Sequence, residues 1–516
     1  MKKWKRIIFF WTLVVLFFVI TPIIILRARG YRFDAQRGVF VYSGAISIKS
    51  NPQDFDINLN GEEITSKTLN RINGSYAING LIPGNYSISI SAPGFQTWTK
   101  STAVHSGLAS EFWNVLLVRD NYTRTNYNIS GINKFFISPK NDLIAYAQNS
   151  DSDLNVRILD INSKKIVNSF NIPNWQLVDT SKELNIEWSP DENYISIPVQ
   201  QVSRSTKSEW RNYRYVDVTT EKTAYAFFVA GLSQNSNIKT PFSLNNFLNE
   251  PDIKDARWDP SNQGYLFFID NGTLYRSNVT DKNDIATIAT NVSSYDLSGS
   301  NIYYTQMPNE LVFKTSLDGK AGATQITSSF PESPAVPTAK LIVYDDSRIA
   351  FINNNKELFI YNQGDHNTYF EKLGDDVEDI QFSNDGKKLL FWTDNQISVY
   401  FLRDWNTQPV RSENEIDDIT RYSDPTSNVQ WFKDYEHVIF SVGSQIKIIE
   451  LDSRDHRNSM NLPQTSLNNT SAVYDGSLDK LFFTDTDTNN KSSDLYSVNF
   501  PEATPLINLS PSALGF

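Results

Sequence analysis

The chain has no cysteine. That excludes disulfides, thiolate metal sites, cysteine nucleophiles and a lipid-modified N-terminal cysteine. Histidine is nearly as scarce. His105, His366, His437 and His456 are the whole supply, and no two stand at metal-ligand spacing. There is no His-Glu-x-x-His helix, no Gly-x-Ser-x-Gly elbow and no Gly-x-x-x-x-Gly-Lys-Ser/Thr phosphate loop. Positive charge is in deficit: 47 Lys and Arg face 58 Asp and Glu, a net of -11. A nucleic-acid partner, which needs a basic face to neutralise phosphates, is therefore not expected. Flat adhesion of the bulk of the chain to anionic lipid is disfavoured for the same reason. Long apolar runs are absent with one exception.

That exception is Ile7 to Leu26, IIFFWTLVVLFFVITPIIIL, without a single charge. At about 1.5 Å per residue such a helix spans the roughly 30 Å hydrocarbon layer. A secretory signal has a shorter apolar core followed by small residues, and Arg27-Ala28-Arg29 is a poor cleavage site. The sequence predicts an uncleaved anchor over residues 7–26, after a short cytoplasmic tail at 1–6. Lys2, Lys3, Lys5 and Arg6 precede the run; Arg27, Arg29 and Arg32 follow it. The positive-inside bias points to a cytoplasmic N-terminus in the plasma membrane, a single pass, and an extracytoplasmic remainder beyond a juxtamembrane linker at 27–43.

The rest reads as all-β. Aromatic residues make up 13%, which suits pleated, half-buried strands. From 44 to 118 apolar residues alternate: Ile46 and Ile48, then Phe55, Ile57 and Leu59, then Ile88 and Ile90. Asn60-Gly61, Pro83-Gly84 and Pro93-Gly94 mark turns between them. The expectation is a small sandwich of short antiparallel strands. This segment resembles a PEGA domain. The likeness rests on Gly44, Ser50-Asn51-Pro52, Asn60-Gly61, Leu81-Ile82-Pro83-Gly84-Asn85-Tyr86, and Pro93-Gly94-Phe95 with Trp98. The name-giving tetrapeptide departs, since Pro52-Gln53-Asp54-Phe55 keeps only its proline. The resemblance implies a bacterial cell-surface module and no chemistry.

After a linker at 119–131, one pattern recurs from 132 to 516: an aromatic, a polar turn, then an apolar strand. Phe136 to Asp142 leads into Leu143–Tyr146, and Trp188-Ser189-Pro190-Asp191 into Tyr194-Ile195. Trp258-Asp259-Pro260, Phe382-Ser383-Asn384-Asp385-Gly386 and Trp431-Phe432-Lys433-Asp434 repeat it, with weaker copies at Tyr295, Tyr344 and Tyr474. The spacing predicts a β-propeller of about eight blades, seven being the alternative. These units resemble TolB-like and WD40-like propellers. Together with the helix and the sandwich, the chain resembles bacterial proteins that join an anchor, a PEGA module and such a propeller.

No catalytic, cofactor-binding or metal-ligating residue is predicted, and no cofactor. Asn149, Asp151, Asp153 and Asp160 mimic part of a calcium loop, but Leu154 stands where glycine is needed. Asp485, Asp487 and Asn489 alternate similarly. Hairpin tips explain both. The pairs Asp375/Asp376 and Asp417/Asp418 need geometry before any acid–base role. Val229 to Ile253, rich in Asn and Ser, reads as a long loop off a propeller face. The expected function is a non-catalytic, surface-displayed binding or scaffolding protein of the cell envelope. Its partner would be a protein, a peptide or a cell-wall polymer. The rivals are an extracytoplasmic hydrolase or lyase using propeller-face carboxylates, and a self-associating structural component.

Overall fold

A computed structural model describes residues 3–501, apart from 66–67, 71–72, 150–152, 179–185, 212–213, 233–237, 251, 332–335, 469 and 488–489. The apolar run forms one helix, Lys3–Ala28, with Pro22 inside it and no residue buried. It is long and apolar enough to cross a membrane. Gly30, at φ +91°, ends it. A short hairpin of Tyr31–Asp34 with Val39–Tyr42 follows.

Two four-stranded sheets then pack face to face. One runs Ala109–Leu116, Gly44–Asn51, Ser75–Leu81, Thr68–Asn70; the other runs Glu62–Glu63, Asp56–Leu59, Gly84–Ser91, Trp98–Val104. The alternating residues meet between them: Ile46, Ile48, Ile57, Ile88 and Ile90 are wholly buried. Each turn signal has a mechanism. Asn60 and Gly61 both take positive φ, as a two-residue hairpin turn requires. Gly94 has φ +79° after Pro93, and Phe95 N–H donates to Ala92 O at 3.1 Å, a type II turn. The Tyr86 hydroxyl donates to Ile82 O at 2.8 Å, closing the Leu-x-Pro-Gly-x-Tyr segment on itself. Gly44 has no room for a side chain, because a Cβ would meet the Val104 side chain and the His105 carbonyl. One pair is not antiparallel: Ala109–Leu116 runs parallel to Gly44–Asn51. The long path between them lets the chain cross to the other sheet and return in the same direction.

Eight further sheets, counted among the described residues, follow in chain order, each built outward from its first strand. We call them blades 1 to 8: 134–173, 176–243, 254–290, 292–325, 338–374, 379–421, 426–464 and 472–499. The outermost strand of blade 8 is Thr125–Asn126, from the start of the ring, paired with Tyr496 and Ser497. Closure of this kind removes open sheet edges between first and last blade. Each adjacent pair of blades shares an apolar cluster. Between blades 8 and 1 it holds Phe482, Leu495, Phe135 and Ile144; between blades 1 and 2, Leu154, Val156, Trp188 and Ile197.

The recurrent Ser-x-Asp turn is a cap. In blade 2, Ser189 Oγ donates to Asp191 at 2.5 Å and accepts from Tyr194 N–H at 3.0 Å. In blade 6, Ser383 does the same with Asp385 and Lys388 at 2.6 and 3.0 Å. The carboxylate in turn accepts the N–H two residues on, at Asn193 and Lys387. Blade 1 is shifted by one residue: Ile137, not Phe136, occupies the place of Trp188, each lying opposite an isoleucine of the second strand. Gly386 completes the blade 6 turn at φ +62°, with Tyr344 and Arg348 of blade 5 against it. We expect Gly386→Ala to cost roughly 2–4 kcal/mol, from the left-handed backbone plus displacement of Arg348. Chemical denaturation against wild type measures it.

The long interval between Trp188 and Trp258 is filled differently from expectation. Strands Tyr194–Arg211 and Arg214–Gly231 pair along their whole length. The neighbouring strand of blade 2 reaches only Gln200. From Gln201 to Arg211 the hairpin therefore extends beyond the blade, about 35 Å at roughly 3.3 Å per residue. The described residues of the Val229 to Ile253 stretch, which leave out 233–237 and 251, stay with the blade. Val229 lies in the blade, Phe242–Ser243 is its outer strand, and Leu244–Leu248 is a short helix capped by Ser243. Leu244 and Ile253 are buried between blades 2 and 3. Its Asn and Ser residues suggested a loop, while the spaced apolar residues that pin it to the core were outweighed.

Candidate binding surfaces

The first strand of every blade lines the centre of the ring. The inner edge of blade 2 has two segments, Gln176–Leu177 and Glu187–Trp188, both paired with Tyr194–Arg211. With the second of these, the first strands of blades 3 to 5 carry Glu187, Asp255, Arg257, Asp296 and Lys340. Arg257 Nε lies 3.2 Å from Glu187 Oε1, and Arg257 also pairs with Asp296. Lys340 reaches Asp379 of blade 6 at 2.6 Å. The acids have backbone duties too. Glu187 Oε2 accepts Trp258 N–H at 3.2 Å, and Asp296 Oδ2 accepts Val343 N–H at 2.7 Å. Gln381 and Gln430 repeat the bond to Trp431 N–H and Tyr474 N–H, at 3.0 and 2.8 Å. Thus a side chain of one blade satisfies the inner edge of the next, where no backbone ladder exists. Burial raises the Glu187 carboxyl above the usual range against the pull of Arg257.

Asp255 stands out here. It sits at a bulge with φ +50°, half-buried, and burial pushes its carboxyl up to about 7 in spite of Arg257. An acid whose folded value exceeds its unfolded value binds extra protons when folded, so stability falls as pH rises from about 4 to 7. Asp255→Asn removes that penalty. Its stability should equal wild type near pH 4 and exceed it at pH 8, by about 1–2 kcal/mol after allowance for screening. A pH series of thermal melts on both proteins checks this.

A second cluster joins sandwich to ring. Strand Trp98–Val104 lies against the third-to-fourth turn of blade 7, where Thr99 and Ser101 bond Asn458 and Asp455. Lys100, with its side chain fully buried, has Nζ 2.9 Å from Glu450 Oε1 and donates to Asp452 O at 2.8 Å and to His456 O. Trp98 Nε1 donates to the other oxygen of Glu450 at 2.8 Å. Gln96 bonds both the N–H and the carbonyl of Asn461, and Arg454 donates to Glu111 O while stacking 4.1 Å from the Phe112 ring centre. The sandwich core is continuous with the apolar cluster of blades 7 and 8. Beside the junction opens a polar cleft of about 500 Å³, lined among others by Arg119, Asn121, Tyr122, Arg124 and Gln464. Arg124 is already spent on Asp485, at 2.6 Å, and on Gln464 O.

The residues singled out in the sequence are not brought together. Asp151, and the side chains of Asn149 and Asp487, lie outside the described residues, as does Asn489. Asp485 is buried and accepts Ser466 N–H and Thr486 N–H besides pairing with Arg124. Asp375 pairs with Lys372, Asp417 with Arg411 and Arg457, and Asp418 with Gln396 and Ser398. His366, His437 and His456 each face a different aspartate: Asp404, Asp434 and Asp455. Among the described residues no three metal-ligating groups converge. The axial charges and the buried Lys100 were missed by sequence reading. Only their place beside a β-strand aromatic hints at the former; nothing local marks the latter.

An eight-bladed β-propeller with a docked β-sandwich and one apolar N-terminal helix is the class that these elements define. No family model matches the chain, and no curated protein matches it. Solved structures do. The Dos1 propeller is similar at 12% identity and a TM-score of 0.44, over 73% of this chain and 95% of that one. The β-propeller domain of Myceliophteria thermophila Cps50 (Swd1) is similar at 12% identity and TM-score 0.39, over 73% and 98%. A eukaryotic initiation factor is similar at 11% identity and TM-score 0.43, over 71% and 84%.

Proposed function

We propose that this chain is a non-catalytic binding or scaffolding protein, anchored in the plasma membrane by its N-terminal helix with the N-terminus in the cytoplasm. The sandwich is read as a PEGA-like module of a bacterial envelope protein, and the propeller as the recognition platform outside the cell. The observation that carries this reading is the overlong hairpin of blade 2. Strand direction alternates within a blade, so turns between second and third strands leave from one face and turns between third and fourth strands from the other. The sandwich grips third-to-fourth turns, at Gln408 of blade 6 and Asp452–Asn458 of blade 7. The hairpin therefore leaves the opposite face, away from the anchored side, where a partner has free access. The partner is an envelope protein, a peptide or a cell-wall polymer.

The axial carboxylates favour a second reading, a hydrolase or lyase working at the ring centre. Against it, Glu187 and Asp296 are each held by a cation and a backbone N–H. Two variants separate the readings. Ser203 and Lys222 lie opposite each other, so joining them through Asn-Gly shortens the hairpin without breaking its register. The full chain and this variant, in detergent, should melt alike, and only the full chain should retain a partner from envelope extracts. Equal retention overturns the binding reading. Turnover of a peptide, ester or glycan that Asp255→Asn abolishes establishes the other.

A further inference from the structure

The hairpin between the helix and the sandwich is built to meet lipid. Tyr31 lies opposite Tyr42 and Phe33 opposite Phe40, so all four rings share one face of the ribbon. The ring pairs are each 5.3 Å apart. Three of the four are bare: Phe33 is 53% exposed, Phe40 41% and Tyr42 46%, while Tyr31 is half-buried. Leu108, in the adjoining His105–Leu108 turn, is 63% exposed. Three bare rings on one small ribbon, with a bare leucine in the turn beside it, call for a non-aqueous neighbour.

The hairpin is also fixed in place. Gly30 O, at the end of the helix, accepts both the N–H and the hydroxyl of Ser43, at 2.9 and 2.6 Å. Ser106 Oγ donates to Tyr42 O at 3.0 Å, tying the sandwich turn to the same strand. Arg32 packs over Gly80 of the sandwich. The ribbon thus cannot swing away from the helix end. If the apolar run Ile7 to Leu26 fills the hydrocarbon layer, residues 31–42 begin about one and a half helical turns past its boundary. That boundary is where aromatic rings are favoured; Arg29 there is exposed, and Arg37 pairs with Asp34 at 3.5 Å.

We propose that the 31–42 hairpin lies in the headgroup layer of the bilayer that the helix crosses, with Phe33 and Phe40 dipped into lipid, and so sets the attitude of the sandwich and propeller on the membrane. This rests on the anchor reading above. The chain's lack of cysteine makes the test clean. Single variants Phe40→Cys, Leu16→Cys and Thr287→Cys of the full chain are labelled with an environment-sensitive dye and placed in nanodiscs of phosphatidylcholine and phosphatidylglycerol. Thr287, on the outer strand of blade 3, is the aqueous reference. The Phe40 label should emit to the blue of the Thr287 label and be quenched most by lipids carrying a nitroxide near the headgroup. The Leu16 label should be quenched most by a nitroxide deep in the chain. A Phe40 label that matches Thr287 overturns the proposal, whatever Leu16 does. An unquenched Leu16 label overturns the anchor itself, so the two failures are told apart.

Discussion

Replacing Lys100 by alanine is expected to release the sandwich from the propeller. The lysine side chain has no exposed surface and Glu450 only 6%. Removing the cation leaves a buried carboxylate facing Trp98 Nε1 and the amide of Asn458, and frees the carbonyls of Asp452 and His456. Breaking one side of such a buried pair costs about 3–5 kcal/mol. All of it falls on the junction, since Lys100 touches both units. Calorimetry should show wild type unfolding with sandwich and ring coupled, and the variant with a separate, earlier transition for 44–118. Lys100→Met with Glu450→Gln should recover much of the loss, because no buried charge is then left unpaired. An unchanged single transition in Lys100→Ala would refute the idea that this ion pair is the lock.

The second large effect is expected at Lys388, between blades 6 and 7. Its side chain is 1% exposed, its ammonium donates to Tyr435 O at 2.7 Å, and it pairs with Glu436 of the next blade. The Trp405 ring centre lies 3.9 Å away. Lys388→Ala strips Glu436 of its partner, whose carboxyl burial already raises. It also removes a cation–π contact and opens a cavity between blades 6 and 7. We expect about 3–5 kcal/mol of destabilisation, felt by the whole ring because blades share their cores. Lys388→Arg should not rescue it, since the planar guanidinium does not fit the space around a point charge on a straight stem. Urea denaturation of the three proteins decides the matter.

Much of this architecture was legible locally. The period-two runs at Ile46, Ile57 and Ile88 have one wet and one dry face in any sheet, so they declared strands without knowledge of partners. Turn residues with positive φ, such as Asn60-Gly61 and Gly386, declared the bends. The Ser-x-Asp caps of blades 2 and 6 are alike because those blades make the same turn between first and second strands. What was misread had the opposite character. The overlong hairpin carries ordinary strand composition, so nothing in it announces that it outruns its blade. The parallel pairing of Ala109–Leu116 with Gly44–Asn51 depends on how the chain returns, which no local signal encodes.

By itself the sequence determined the parts: one span-length helix, a small β unit, and a series of similar four-stranded units, because each follows from the period of apolar residues and the chemistry of turns. Only the tertiary structure decided how those parts meet. Lys100 and Lys388 look like surface lysines in the sequence and are buried, because the carboxylates and carbonyls that stabilise them come from residues far away in the chain. Glu187 and Arg257 stand in separate blades and become neighbours only when the ring closes. Burial and charge pairing belong to contacts between distant residues, and those contacts exist only in the folded chain.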